Sequence, residues 1–265
     1  MTLFHPLVPD RRAPLAAANP IVKLAGAGVL MGVLLVSADV VVPAVLLTVE
    51  LGALAFTGLR PDVVLRRTAP MLAVAIAIGL VNGVFGSSTG PSVLEVGPLR
   101  VTAAGLSAGL AAALRLLAIV LAGVLAFVTT DPTDLADALV QQVKVSPRFA
   151  IGTLAAMRLL PILAEEWQTI GLARRARGLE ARSPRAAVAL LGGRMLSLLV
   201  AAIRRAVRMA LAIESRGFGS RPCRTAARPQ RVRAADWVLL GAAVLAGVLA
   251  IAVSVASGSW RFFLA

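Results

Sequence analysis

The stretch AAGLSAGLAAALRLLAIVLAGVLAFV, residues 103–128, carries a single charge, Arg115. A membrane-spanning helix needs about 20 predominantly apolar residues, so this stretch predicts a helix that crosses a bilayer. The segment that follows, TTDPTDLADAL at 129–139, combines cap residues, a proline and acids, which is typical of a helix beginning. The chain therefore changes near Thr129 from lipid-embedded helix to more polar helical structure.

The composition of the whole chain indicates the same class of protein. Of its 265 residues, 58% are hydrophobic and only 15% are charged, and the mean hydropathy is +0.87. Soluble domains carry roughly 25% charged residues. Because a soluble chain of this size could not bury so much apolar surface, we expect an all-α integral membrane protein.

Five apolar stretches predict five transmembrane helices. They cover residues 21–36, 40–57, 69–85, 103–128 and 235–256. Between the second and third spans we expect a basic loop that contains Arg60, Arg66 and Arg67, and after the third a Gly-, Ser- and Pro-rich loop at 86–101. Asp39 is expected in a short external turn between the first two spans.

One further stretch leaves the number of spans at five or six. Residues 186–203 are apolar apart from Arg194. Because basic residues continue along one face of this helix to Arg216, a long amphipathic helix along the membrane surface is the preferred interpretation.

All of the net positive charge of the chain lies in one segment. Residues 144–233 hold 18 of the 27 lysines and arginines and only four acids, which accounts for the net charge of +14. Cytoplasmic flanks of membrane helices are enriched in Lys and Arg, so this segment is expected in the cytoplasm, with the N-terminus inside and the C-terminus outside. The expected organisation is four spans in 1–128, a basic cytoplasmic domain of long amphipathic helices in 129–233, and a final span in 234–265.

Two long helices of the basic domain end alike. One is predicted to begin at Pro147 and to end in Ala176-Arg177-Gly178, and the next to begin at Ser183-Pro184 and to end in Ser215-Arg216-Gly217. Simple capping explains one such end, since Arg favours the helix C-terminus and Gly the left-handed position after it. Two copies, each followed by an apolar residue, favour a functional role.

With these motifs the chain resembles the transmembrane T components of energy-coupling factor (ECF) vitamin transporters. The resemblance covers most of the chain. It is carried, in order, by Asn19-Pro20 with Lys23-Leu24, by Thr129-Thr130-Asp131-Pro132 with Leu135, Ala138-Leu139 and Pro147, by Arg158, Pro161 and Glu165, and by the two Arg-Gly ends. Ser215 replaces the alanine of the family's second motif.

The resemblance implies a coupling subunit in the plasma membrane of a bacterium, without enzymatic activity or a cofactor of its own. Such a subunit joins two cytoplasmic ABC-type ATPases to a small membrane S component that binds a vitamin, a vitamin precursor or a metal ion. Arg177 and Arg216 would dock into the ATPases. The sequence has no G-x-x-x-x-G-K-[ST] loop, which agrees with ATP hydrolysis by partner subunits.

The remaining candidate residues are few. Glu50 and Arg115 fall inside predicted spans, where they would either pair with each other or extend to an interface. Cys223 is the only cysteine and His5 the only histidine, which excludes an internal disulfide and a Cys/His zinc site.

Two other classes of function remain open. A stand-alone membrane transporter or channel would need several convergent polar groups within the spans, and those are sparse. A membrane scaffold that binds anionic lipids would use the basic domain. A nucleic-acid partner is not expected, because the basic face lacks interleaved aromatic residues and the chain has no Tyr.

Overall fold

The fold is known from a computed structural model, which describes residues 13–58, 61–85, 92–96, 99–179, 183–218 and 228–260. Within those ranges the chain is helical apart from one short hairpin. The elements are α1 Pro14–Ala17, α2 Pro20–Val36, α3 Val41–Leu54, α4 Pro61–Phe85, β1 Ser92–Val96, β2 Leu99–Thr102, α5 Ala103–Val128, α6 Pro132–Gln141, α7 Pro147–Ala176, α8 Pro184–Ser215 and α9 Ala234–Ala256.

The chain divides into two compact units. One comprises Lys144–Pro229 and contains α7 and α8, and the other comprises His5–Val143 with Gln230–Ala265. The second unit includes α6, which packs against α2. The first compact unit therefore starts at Lys144, later than the basic domain predicted at 129–233, and that predicted division by membrane topology stays a prediction.

All five predicted spans are helical. The bounds of α5 are those predicted, and α2 and α9 each begin one residue earlier than predicted. The prediction for α4 was wrong at its start: the helix begins at Pro61, so Arg66 and Arg67 lie within it and not in a loop. Proline is favoured in the first turn of a helix, and Gly58, with a φ of 68°, turns the chain away from α3 just before it.

The loop predicted at 86–101 is in part a β-hairpin, and that prediction is corrected. β1 and β2 pair antiparallel, with Val96 opposite Leu99 and Leu94 opposite Val101. Valine-rich segments fit a pleated strand, and only two residues separate the two strands. Residues 86–91 of the predicted loop lie outside the described residues.

Several helices are long and apolar enough to cross a bilayer. They are Thr68–Phe85 within α4, Ala103–Val128, Pro147–Ala176 and Ala234–Ala256. α2 and α3 are apolar but shorter, with 17 and 14 residues. α8, which holds the ambiguous stretch 186–203, is not among the spans found in the described ranges. The protein is an all-α, multi-pass membrane protein.

Glycines allow α4 and α5 to pack closely. Gly79 and Gly83 of α4 face Gly105 and Gly109 of α5, and each pair is spaced by four residues. A Cβ at Gly109 would lie 2.8 Å from the backbone nitrogen of Gly83 and 3.0 Å from its Cα. Small residues at this spacing are how membrane helices bring their backbones together.

Buried polar contacts join α2, α9 and the α5–α6 turn at one end of the bundle; we call them the Lys23 cluster. The ammonium group of Lys23 donates to the carbonyls of Ala16 (3.0 Å) and Thr129 (2.9 Å). The Asp236 carboxylate accepts from the backbone N–H groups of Asn19 (2.8 Å) and Arg233 (2.7 Å). Asn19, Lys23 and Thr129, which belong to the first two segments that resemble the ECF family, thus help to hold the bundle together.

A second cluster, the Asp39 cluster, joins the α2–α3 turn to α5 and α9. The Asp39 carboxylate accepts from the Ser254 hydroxyl (2.5 Å) and from the backbone N–H of Val42 (3.1 Å). The Arg115 guanidinium donates to the carbonyl of Ser37. Asp39, Ser37 and Ser254 are all buried, so each needs these partners.

We predict that Gly109→Ala destabilises the protein by about 1–3 kcal/mol, because the added methyl group meets backbone atoms of α4 that cannot move aside. Thermal unfolding of the purified protein in detergent measures the effect. Gly241→Ala is the matched control, since a Cβ there meets nothing within 4 Å and Ala is the better helix former. Equal melting temperatures for the two variants would contradict the close crossing.

Candidate functional site

The unit formed by α7 and α8 is built from two long helices with well-defined starts. Each begins with a proline, Pro147 or Pro184, in its first turn, where no N–H is needed. The hydroxyl of Ser183 accepts from the backbone N–H of Ala186 (3.2 Å). α7 continues as a helix through Pro161. Both predicted helices of the basic domain are confirmed.

Two arginines and two glycines form a reciprocal contact where α7 and α8 cross; we call it the Arg–Gly crossing. The guanidinium of Arg174 in α7 lies over Gly193 in α8, and that of Arg194 in α8 lies over Gly171 in α7. A Cβ at Gly193 would lie 3.0 Å from Arg174 Nη2, and one at Gly171 would lie 2.5 Å from Arg194 Nη2. Each glycine makes room for the arginine of the facing helix.

Hydrogen bonds fix both arginines of the crossing. Arg174 donates to the carbonyl of Leu190 (3.0 Å). Arg194 donates through Nε to the carbonyl of Trp167 (3.1 Å), and its Cζ lies 3.9 Å from the centre of the Trp167 ring. A guanidinium over an aromatic face adds a cation–π attraction. The basic residues at the crossing therefore hold the two helices together.

The first motif ends α7 with a main-chain cap. Gly178 has a φ of 75°, a left-handed conformation that glycine adopts without strain. Its N–H donates to the carbonyl of Arg175 (2.9 Å), and that of Leu179 donates to the carbonyl of Arg174 (3.0 Å). This pair of bonds is the Schellman motif.

The second motif ends α8 in the same way. Gly217 has a φ of 76°, and its N–H donates to the carbonyl of Glu214 (2.9 Å). Ser215, which replaces the family's alanine, donates its hydroxyl to the carbonyl of Ala212 (3.1 Å). The substitution therefore leaves the helix end intact.

Capping explains the glycines of the two motifs but not the arginines. In both caps the arginine contributes only its backbone N–H, and the side chains of Arg177 and Arg216 are exposed. Within the described part of the chain, neither guanidinium makes a hydrogen bond or an ion pair. Each motif thus presents an unpartnered cation beyond a rigid helix end.

The two exposed arginines are far apart. α8 has 32 residues, which is about 48 Å of helix. The seven-residue step from Arg177 to Pro184 spans at most about 25 Å. The Cα atoms of Arg177 and Arg216 therefore lie at least about 23 Å from each other, which separates the two helix ends.

Glu50 and Arg115 do not pair, and that proposed intramembrane pair is corrected. The Arg115 guanidinium lies in the Asp39 cluster. There it donates to the carbonyl oxygen of Ser37 and is attracted by the negative charge of Asp39. Glu50 is 1% exposed, and its carboxylate oxygens have no hydrogen-bond partner among the residues that the structure describes. Arg115 lies near Asp39 because α5 packs against both α2 and α3, the two helices that the turn containing Asp39 connects.

The Arg–Gly crossing was missed in the sequence. Helical periodicity placed Arg194 in one basic stripe that runs to Arg216, and it did not show that Arg194 packs against a glycine of α7. A glycine beside or one turn from an arginine on each helix, as in Gly171-x-x-Arg174 and Gly193-Arg194, is the local signal. That signal carries no information about which helix faces which.

The fold defines a multi-pass membrane protein whose α7–α8 unit presents two separated cationic helix ends. The chain belongs to the CbiQ family, described as cobalt transport protein, whose sequence profile matches residues 12–226. Within that family it is a transmembrane T component of the ECF transporters.

Individual relatives agree with the family. The chain is 32% identical over 189 residues to the energy-coupling factor transporter transmembrane protein of Listeria innocua, covering 66% of this chain and 69% of that protein. It is 31% identical over 189 residues to the protein of the same name from Limosilactobacillus fermentum, with 68% and 70% covered. It is also 27% identical over 210 residues, 75% of its length, to a protein of Bifidobacterium longum named as an ABC transporter ATP-binding protein, of which it covers only 26%.

We predict that Gly193→Leu loosens the crossing, because the leucine displaces the Arg174 guanidinium from its bond to Leu190. Losing about 1–1.5 kcal/mol of hydrogen bonding should speed backbone amide exchange in α7 and α8 about tenfold. Hydrogen–deuterium exchange with peptide-level mass spectrometry measures the change.

The neighbouring Gly192→Leu is the matched control, since a Cβ at Gly192 meets nothing within 4 Å. Both variants gain the same helix propensity. If Gly192→Leu and Gly193→Leu change exchange equally, the Arg174–Gly193 contact does not hold the helices.

Proposed function

We propose that this chain is the coupling subunit of an ECF-type ABC importer. It would join two cytoplasmic ATPase subunits to a small substrate-binding S component in the membrane, for uptake of a vitamin, a vitamin precursor or a metal ion. The observation that carries the proposal is the pair of exposed arginines, Arg177 and Arg216, which have no side-chain partner among the described residues and lie at separated helix ends.

Arginine suits this role chemically. Its planar guanidinium binds carboxylates through two parallel hydrogen bonds and stays charged at any physiological pH. Two such groups on helix ends whose Cα atoms are at least about 23 Å apart match two subunits better than one pocket. The left-handed glycine behind each arginine fixes where the cation points by ending the helix at that residue.

A relative supports an ATPase as the partner. The part similar to this chain makes up about a quarter of a longer protein that is named as ATP-binding. This chain has no Walker-type phosphate loop in its sequence. ATP hydrolysis would therefore occur in separate subunits that dock on the arginines.

The S component would contact apolar surface of α7. Phe149 is 71% exposed and Leu172 is 64% exposed, and exposed apolar patches mark interaction sites. Although α7 is apolar enough to span a bilayer, we propose that it lies in the cytoplasm with α8. Its C-terminal half carries Glu165, Glu166 and two arginines, and it pairs with the amphipathic helix α8.

The orientation follows from the charge of the same unit. The segment 144–233 carries the net charge of the chain, so it would face the cytoplasm, where the ATPases reside. An inside N-terminus and an outside C-terminus complete the proposed topology.

We predict that Arg177→Glu/Arg216→Glu abolishes assembly with the ATPases. Removing one partner of a buried, hydrogen-bonded charge pair costs about 2–5 kcal/mol of binding, and a reversed charge adds repulsion. The amount of ATPase that co-purifies with the tagged chain, at equal expression in the membrane, is the measurement. Either single substitution should weaken assembly less than the double one.

Arg148→Glu/Arg185→Glu is the charge-matched control, because both residues are exposed on the same unit and lie outside the two motifs. It should retain the ATPases. If the motif variant co-purifies with the normal amount of ATPase, the two arginines only end their helices and do not dock into the ATPases. Equal loss in both variants would mean that diffuse positive charge, and not two docking points, binds the ATPases.

We predict that thiol labelling will place Ser183 on the cytoplasmic side of the membrane and Ser257 on the outer side. In a Cys223→Ser background, a cysteine at Ser183 should react with a membrane-impermeant maleimide only after the membrane is opened, and one at Ser257 should react from outside. Both positions are exposed. Labelling of the Ser183→Cys variant in intact cells would place the α7–α8 unit outside and contradict the coupling role.

A further inference from the structure

A basic cleft lies beside α8, on the side of the Arg–Gly crossing toward Arg216. Its volume is about 360 Å³, and its polar lining is Glu166, Ser197, Arg204, Arg205 and Arg208. Three arginines therefore share a cleft with one acid. None of these three belongs to the two motifs that the proposed function uses.

The positive charge of the cleft is only partly compensated. Arg205 and Glu166 form an ion pair at 3.3 Å, with each side chain 33% exposed. Arg205 Nη1 is nevertheless buried without a hydrogen-bond partner. Within the described part of the chain, the guanidinium groups of Arg204 and Arg208 make no hydrogen bond or ion pair. Two cations are thus available to an anion, beside an arginine whose ion pair leaves one buried amino group without a partner among the described residues.

An apolar surface adjoins these arginines on the same helix. At 100° per residue, five apolar positions form a continuous row next to Arg204 and Arg208. They are Leu196, Val200, Ile203, Val207 and Leu211. Their exposed fractions lie between 44% and 63%, so the row is open to the surroundings.

We propose that this cleft binds an anionic phospholipid. The phosphodiester would lie between Arg204 and Arg208, with the Ser197 hydroxyl and Arg205 Nη1 within the same cleft, and an acyl chain would follow the apolar row. Guanidinium groups bind phosphate oxygens in pairs, and basic amphipathic helices bind anionic membrane surfaces through this combination. The charge selects the lipid because a zwitterionic headgroup adds a cation that the arginines repel.

The proposal does not depend on the ATPase partners, so it is tested on the full chain alone in detergent. Native mass spectrometry during titration with phosphatidylglycerol gives the affinity for the first bound lipid. We expect Arg204→Gln/Arg208→Gln to weaken that affinity on the order of tenfold, since each basic residue near an anionic lipid contributes substantially to binding. Binding of phosphatidylcholine should not change.

Two further variants make the result specific. Arg204→Lys/Arg208→Lys keeps the charge and should retain most of the affinity for phosphatidylglycerol. Arg148→Gln/Arg185→Gln removes the same charge elsewhere on the unit and should bind the lipid like the unchanged protein. If the two glutamine variants bind phosphatidylglycerol equally well, the cleft is not the lipid site.

Two other outcomes would overturn the proposal by naming another occupant. If glycerol 1-phosphate displaces phosphatidylglycerol at equal concentration, the cleft binds free phosphate compounds and the apolar row plays no part. If phosphatidylglycerol leaves the labelling of a cysteine at Ala201 unchanged while a co-purified protein protects it, the cleft is a protein interface. Protection of that cysteine by phosphatidylglycerol supports the lipid.

Discussion

Every helix end leaves backbone groups without partners inside the helix, and a protein in a bilayer has no water to satisfy them. The need to satisfy helix ends is a constraint on both compact units, although the lack of water applies only to the membrane-embedded helices. In the membrane unit, side chains meet it: Lys23 donates to the carbonyl of Thr129 at the end of α5, and Asp236 and Asp39 accept from backbone N–H groups at the starts of α2 and α3. The same contacts tie α2, α5 and α9 together.

In the α7–α8 unit the main chain meets the same constraint by itself. Left-handed glycines at 178 and 217 return their N–H groups to the last turn, so no side chain is needed for capping. The arginine before each glycine is thereby free to reach outward. This division of roles explains why the sequence pairs Arg with Gly at both ends. It also distinguishes Arg177 and Arg216 from Arg174 and Arg194, whose side chains already form hydrogen bonds where α7 and α8 cross.

Much of the fold was predictable because apolar length and proline position are local signals. They located α5, α7, α8 and α9 to within a residue or two. The errors at the start of α4 and in the hairpin were local, whereas the others came from contacts distant in sequence. Nothing near Arg115 indicates that Asp39 would lie beside it and that Glu50 would not. The glycine packing of α4 on α5 and the Arg–Gly crossing likewise depend on which faces meet, and hydrophobic periodicity does not specify that. The two Arg-Gly ends were predictable because their residues are contiguous.

The central claim is that the two capped helix ends each meet an ATPase subunit. Replacing Leu179 or Phe218, the residues that follow the two glycines, with a benzophenone amino acid allows photocrosslinking in cells that contain the ATPases. The coupling account predicts that both positions crosslink to ATPase subunits. It predicts no such crosslink from Val244 on α9, which is exposed in the membrane unit. Crosslinks from both helix ends to lipid or to this chain alone, with no ATPase captured, would contradict the account.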